Sequence, residues 1–384
     1  MVSQNFLYLS VLALSASTAA SAELPIVGPH KFDVAISSAS LTDNGRLDPF
    51  AKDGRSRKVM VSLFTPVANC RHKHLEPYMP PATAAFENDK FAAYGLPNGS
   101  FPALKLETCN ETKSSPSCSS REKPLPLVLF SGGLATSRLI YSSVLQSVAA
   151  AGYLVVSIDH PYDADVVEFP EGTIVKGLEL ESDADIELAL TTRVEDIAFV
   201  HRQLGNSSFA NSVLPGSERE NGRLTWKTAI LGHSIGGASA AAAMLAIPSI
   251  RGGVNLDGSM FGSVTTSGSL NRPFMLMGHE NKTQETDPSW KATWPNLTGW
   301  KREFEVKKTA HYSFSDLPLV TDVLGFQGQL PEEAGQLLGT MEGSRVMNLT
   351  VSYVTAFLDH VLKGKSDSIL DENKNFPEVI LRAE

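Results

Sequence analysis

Short runs of consecutive apolar residues alternate along this chain with stretches in which apolar positions recur every three or four residues. Leu127-Val128-Leu129-Phe130, Tyr153 to Ile158, Lys227 to Leu231, Gly253 to Leu256, Phe274 to Met277 and Glu303 to Lys307 have the length and character of buried strands. Asp183 to Leu204 carries helical spacing through Ile186, Leu190, Val194, Ile197 and His201. Ser137 to Ala151 and the small-residue run from Ala238 to Ala243 predict further helices, and Arg345 to Leu362 predicts a closing amphipathic one. Strands alternating with helices predict parallel βαβ units in one sheet with helices on both faces, an α/β protein. Upstream, Lys31 to Ser37 and Lys58 to Phe64 predict an antiparallel hairpin at a sheet edge, with its turn at Asp43-Asn44-Gly45. Leu317 to Thr340 is apolar, Gly-rich and irregular, and is expected to form short helices near the mouth of a site. No internal repeat is present.

Two stretches depart from this rhythm. Met1 to Ala22 reads as a secretory signal peptide, with a buried apolar helix as the competing reading. Its apolar stretch, Phe6 to Ala20, is too short to cross a bilayer, and Ala20-Ser21-Ala22 has the small-x-small pattern that precedes cleavage, leaving Glu23 as the new terminus. Its first five residues carry no Lys or Arg. The second stretch, about 68–122, is rich in Pro, Asn, Ser and charge. It is expected to be a Cys-containing surface insertion in a single domain over 23–384.

The 384 residues are 42% apolar, which suits a large packed core. A formal charge of −9 argues against nucleic acid and against electrostatic docking on anionic lipid, leaving at most transient contact with a lipid surface. Six glycosylation sequons, at Asn98, Asn110, Asn206, Asn281, Asn296 and Asn348, agree with a secreted, extracellular protein. Three cysteines, Cys70, Cys109 and Cys118, predict one disulfide and one leftover thiol in an oxidising compartment. Cys70–Cys109 is preferred because Cys118 lies in the polar run Ser114 to Ser120; Cys70–Cys118 stays open. No cysteine has metal-ligand spacing, and no metal or cofactor is expected.

The strand Thr228 to Leu231 runs into Gly232-His233-Ser234-Ile235-Gly236-Gly237 and then into the small-residue helix. Gly-x-Ser-x-Gly between strand and helix is the nucleophile elbow of α/β-hydrolases. The serine occupies a strained turn, its glycine neighbours avoid clashes, and the helix N-terminus favours developing negative charge. The base and its orienting acid should follow in the order acid, then His, at the ends of later strands. Asp257 ends the next strand and is the expected acid. Of the nine histidines, His160 precedes the serine, and His30, His72, His74, His201, His233 and His360 lie in unsuitable places. His311, in the loop beyond Glu303 to Lys307, is preferred as base over His279, at the end of Phe274 to Met277. The oxyanion hole needs two backbone donors. One is the N–H of Ile235; the other is expected from Ser131-Gly132-Gly133-Leu134, with Leu134 preferred to Gly133.

Phe130-Ser131-Gly132-Gly133-Leu134-x-x-x-Arg138, Val155-x-x-x-Asp159-His160, Gly232 to Ala238, Leu256-Asp257-Gly258-Ser259-Met260-Phe261 and Ala310-His311-Tyr312-Ser313-Phe314-Ser315-Asp316 resemble, in order and spacing, the plasma-type platelet-activating-factor acetylhydrolases. The resemblance covers Lys58 to the C-terminus, and the signal peptide and insertion look like secreted fungal members. One departure is Gly132, where the family often has His. The resemblance implies an α/β-hydrolase fold and a metal-free triad of Ser234, Asp257 and His311. It also implies Leu134 and Ile235 as oxyanion donors, and hydrolysis of short or oxidised acyl chains from the second glycerol position of phospholipids. The expected activity is that of a serine esterase on a small ester or phospholipid. The alternatives are an esterase or lactonase for a secondary metabolite or polyester, and a non-catalytic secreted binding protein.

Overall fold

The computed structural model describes residues 21–110, 125–206, 210, 227–366, 368–371 and 375–384. The leader up to residue 20 and Cys118 lie outside them. Strands over Asp33–Leu47 (β2), Ser56–Val67 (β3), Leu127–Ser131 (β6), Leu154–Asp159 (β7), Thr228–His233 (β10), Ile250–Leu256 (β11), Phe274–Gly278 (β12), Lys301–Val306 (β13) and Val379–Ala383 (β14) form one sheet. Its order is β14-β13-β12-β11-β10-β6-β7-β3-β2. From β13 to β7 the strands are parallel; at one end β14 pairs antiparallel with β13, and at the other β3 pairs antiparallel with β7 and β2 with β3.

Alternation along the strands divides the core in two, because successive side chains leave a strand on opposite faces. Val128 and Phe130 of β6 pack with Leu145 and Val148 of helix α3 (Ser142–Ala150) and with Val354 and Phe357 of helix α9 (Gly343–Leu358). Leu127 and Leu129 face the other way, onto Ile197 and Val200 of helix α4 (Asp183–Leu204) and onto Ala240 and Ala243 of helix α5 (Ile235–Ala246). The layout is an α/β-hydrolase fold. Helix α4 spans the predicted residues and begins in a capping box between Ser182 and Asp185.

β6 lies between β7 and β10, although β7 follows it directly in sequence. The loops leaving β6 and β10 therefore diverge to opposite sides, and such a switch point opens a crevice at the C-terminal ends of parallel strands. Those two loops carry Gly132–Leu134 and Ser234.

Two expectations require correction. Asp43-Asn44-Gly45 is not the hairpin turn. Its Asp43 carboxylate accepts from Gly45 N–H (3.1 Å) and Arg46 Nε (2.7 Å), and Arg46 reaches Asp196 (2.7 Å). The segment becomes a register shift inside β2, and the chain reverses beyond Leu47, where Asp48 N–H donates to Arg55 O (2.9 Å). Nor does the insertion merely lie on the surface. Its strands Lys73–Pro77 (β4) and Leu104–Cys109 (β5) make a small sheet with Ala22–Leu24 (β1). Tyr78, Met79, Leu104, Phe101, and Phe91 of helix α1 (Pro81–Ala92), join the main core. A polar composition hid these few large apolar anchors. Cys70 and Cys109 are joined by a disulfide, with Cα atoms 5.9 Å apart, that ties the insertion's two ends together.

Candidate active site

The elbow lies where β10 meets α5. Ser234 has φ 57°, a conformation that L-residues adopt only when their surroundings impose it. Its N–H donates to Leu256 O (2.9 Å), which pins the turn to β11. A Cβ on Gly232 would strike the Gly236 carbonyl, and one on Gly236 the Ser131 carbonyl, so both positions admit only glycine. Ile235 heads the helix, and its N–H has no intrahelical acceptor.

Asp257 follows β11, also at positive φ (62°), and is fully buried. Its N–H donates to Met277 O (2.8 Å). Oδ2 accepts from His311 Nδ1 (2.5 Å). Oδ1 accepts from His279 Nδ1 (2.6 Å) and His279 N–H (2.8 Å). Two imidazoles thus share one carboxylate. Burial opposes the charge on Asp257, but these donors outweigh it and hold its pKa down at about 2. Sequence position favoured His311 over His279 without revealing that both would reach the acid.

His311 opens a short helical turn, His311–Phe314, beyond β13. Its ring centroid is 4.7 Å from that of His233, the residue before Ser234. Its carbonyl accepts from His233 Nε2 (2.8 Å). Since that nitrogen must donate, His233 Nδ1 accepts from the Tyr141 hydroxyl (2.8 Å), whose oxygen accepts from Gly133 N–H (3.1 Å). The chain requires a neutral His233; burial, reinforced by the nearby His311, pushes its pKa down to about 3. Sequence reading missed Tyr141 and gave His233 no task, since nothing in the elbow pattern signals a bridge to a loop 78 residues away.

This chain also separates the two candidate oxyanion donors. Gly133 N–H is taken by Tyr141, whereas Leu134 N–H has no acceptor among the described residues. The loop lies over the elbow: a Cβ at Gly133 would sit 3.4 Å from Ser234 Cβ. A side chain at Gly132 would meet the Tyr141 ring at 2.9 Å.

Of the sequon asparagines, Asn98, Asn206 and Asn281 are exposed, and Asn110, Asn296 and Asn348 are half-buried. The Asn296 side-chain amide donates to Val264 O (2.8 Å).

Behind the loop, Lys90 Nζ donates to Ala135 O (2.8 Å) and Asp165 Oδ2 (2.5 Å). One turn earlier on α1, Glu87 is fully buried, and neither carboxyl oxygen has a hydrogen-bond partner. Burial, and then the Asp165 charge, push its pKa well above the usual carboxylate range. Its folded-state pKa exceeds the unfolded one, so stability is lost as pH rises between the two. Above about pH 7 the buried, neutral His233 and His160 bind no proton in either state and add no slope there. Glu87→Gln is therefore expected to melt several °C above wild type at pH 9, with the gap narrowing as pH falls and closing at about pH 4.5. Parallel melting curves across that range would contradict the assignment.

The family model described as "Platelet-activating factor acetylhydrolase, isoform II" matches residues 100–170 and 220–375. The chain is 30% identical over 373 residues to a "Probable 1-alkyl-2-acetylglycerophosphocholine esterase" of Arthroderma benhamiae, covering 92% of each. It is 25% identical over 275 residues, 63% of each, to a "Platelet-activating factor acetylhydrolase" of Gallus gallus. Among solved structures, a ferulic acid esterase from Streptomyces cinnamoneus superposes with TM-score 0.78 at 30% identity, covering 95% of this chain and all of that one. This protein is a carboxylic ester hydrolase. The family model spans more than half of the chain and the fungal relative nearly all of it, and on both counts the chain belongs to the platelet-activating factor acetylhydrolase isoform II family.

Proposed function

We propose that this protein is a secreted serine esterase that removes short acyl groups by way of an acyl-enzyme, with 1-alkyl-2-acetylglycerophosphocholine-like phospholipids as its substrate class. The carrying observation is the Asp257–His311 contact (2.5 Å) beside an elbow serine flanked by two backbone N–H groups that no group among the described residues accepts. In this reading His311 takes the Ser234 proton as Oγ attacks the ester carbonyl. Asp257 holds the imidazole by Nδ1 and stabilises the imidazolium. The oxyanion rests on Leu134 and Ile235 N–H until His311 protonates the departing alkoxide, and water activated by His311 then releases the acid. An apolar pocket lined by Phe91, Leu96, Tyr312, Leu317, Val320 and Leu338 adjoins His311 through Tyr312 and suits an acyl or alkyl group.

An acyl-length series on 2-acyl glycerophosphocholines tests the substrate class. Best turnover is expected at about two to six carbons. A kcat/KM still rising beyond about ten carbons, at roughly 0.8 kcal/mol per buried CH₂, would reveal a long tunnel and replace the reading with a lipase. The resemblance to a ferulic acid esterase favours aromatic esters as the second reading; methyl ferulate outcompeting the phospholipid would select it. Export is part of the proposal, with glycans on exposed Asn98, Asn206 and Asn281. Mass spectrometry of the protein from culture medium should find Glu23 as its first residue and sugar at those sites; an intact leader without glycans would overturn it.

A further inference from the structure

Arg193 lies on α4, far in sequence from every residue of the site, yet it holds the loop over the elbow. Its side chain is buried (2% exposed). Nη1 donates to Gly132 O (2.6 Å) and Ser131 Oγ (3.0 Å), and Nη2 to Gly133 O (3.0 Å). Nε donates to Asp163 Oδ2 (2.6 Å), and Nη2 also pairs with Asp163 Oδ1. In a trans peptide the carbonyl of one residue and the N–H of the next point in opposite directions. Turning Gly132 O toward Arg193 therefore sends Gly133 N–H the other way, where Tyr141 takes it. Turning Gly133 O toward Arg193 sends Leu134 N–H the other way, where no group among the described residues accepts it. The next peptide is also pinned, since Ala135 N–H donates to Asp163 O (3.0 Å).

A second chain of buried groups holds the guanidinium. Ser131 Oγ accepts from Arg193, so its proton goes to His160 Nε2 (3.0 Å), and His160 Nδ1 donates to Asp196 Oδ2 (2.9 Å). Asp196 is in turn paired with Arg57 (2.8 Å) and Arg46 (2.7 Å). The order Ser–His–Asp imitates a catalytic triad. Its serine, however, is wholly buried and already accepts from a cation, which suits it to fixing geometry rather than to attack. Every donor of Arg193, Ser131 and His160 meets an acceptor, the condition under which a buried polar network is rigid.

We propose that Arg193 is a positioning residue for ester hydrolysis. Seated between Asp163 and the Ser131–His160–Asp196 chain, it clamps the carbonyls of Gly132 and Gly133 and so aims Leu134 N–H at the oxyanion before substrate arrives. This rests on the reading of Leu134 and Ile235 as the oxyanion donors. Preorganisation of such donors acts on the transition state and leaves the ground state nearly untouched.

Arg193→Lys keeps a cation beside Asp163 but loses the planar fork that spans two carbonyls and a hydroxyl. With p-nitrophenyl acetate its kcat should fall about 10- to 100-fold, less than the about 10²–10³ for outright loss of a donor, with KM within about threefold of wild type. A trifluoromethyl ketone, whose adduct with the serine carries the oxyanion, should bind weaker by the same factor as kcat. Damage to packing alone would change the folded fraction, not the ketone affinity of the folded protein. Should Arg193→Lys fail to fold, Ser131→Ala, which leaves every charge in place, carries the test with a smaller loss of the same kind. Unchanged kcat and ketone affinity in the folded variant, or a loss confined to KM, overturns the clamp. Wild type that neither cleaves the ester nor takes a fluorophosphonate at Ser234 overturns the esterase reading and the clamp together; active wild type with unaffected variants overturns the clamp alone.

Discussion

Ser234→Ala is expected to lower ester turnover by about 10⁶-fold while the protein stays folded. The substitution removes one oxygen from a half-buried residue whose backbone is held by other means: its N–H on Leu256 O and the close approach of Gly232 and Gly236 to neighbouring carbonyls. Alanine tolerates φ 57° about as well as serine does, so the melting temperature should move by no more than about 2 °C. The two N–H groups and the pocket survive, which leaves a residual rate above that in water and substrate binding near normal. Turnover of a short-chain p-nitrophenyl ester by the purified variant, alongside fluorophosphonate labelling, measures both. Wild-type-like turnover, or labelling at another serine, would remove Ser234 from the mechanism.

His311→Ala is expected to be nearly as damaging, because a serine without its base is a poor nucleophile. His279→Ala should cost no more than about tenfold. The structure makes this a sharper contrast than the sequence did, since both rings donate to Asp257. What separates them is where they stand. His279 follows β12, two strands from β10 in the sheet, and is tied to Asp257 through its backbone as well as its ring. His311 comes after β13, farther still, but its loop returns across the sheet and its carbonyl is tied to His233, adjacent to Ser234. His233, the residue before Ser234, thus holds His311 in place. Removing His279 leaves Asp257 buried with His311 still attached, so alignment survives. A dead His279→Ala beside an active His311→Ala would reverse the assignment.

These expectations show where local pattern ends. Runs of apolar residues and their periods are properties of neighbouring residues, and they determined the alternation of strand and helix, the residues of α4, the strand–elbow–helix around Ser234 and the strand-end place of Asp257. They also marked the Gly132–Leu134 loop that lies over the elbow. Glycine spacing at the elbow was legible for the same reason: a chain that folds back within five residues signals its steric limits in those residues.

What spans the sheet was not legible. Which of the Gly133 and Leu134 N–H groups stays open depends on Tyr141, which takes one and not the other, and on Arg193, some 60 residues away, which binds the carbonyls of Gly132 and Gly133. His279 and His311 looked like alternatives until tertiary structure placed both on one carboxylate. Asp43-Asn44-Gly45 has turn chemistry, yet Arg46 and Asp196, 150 residues apart, hold it within a strand. The insertion's polar composition concealed the aromatic anchors that seat it in the core. In each case the sequence supplied groups able to donate, accept or pack, and the folded chain decided which met. Hydrogen bonds and buried contacts between distant segments form only where packing brings them within reach, and no periodicity along the chain records that meeting.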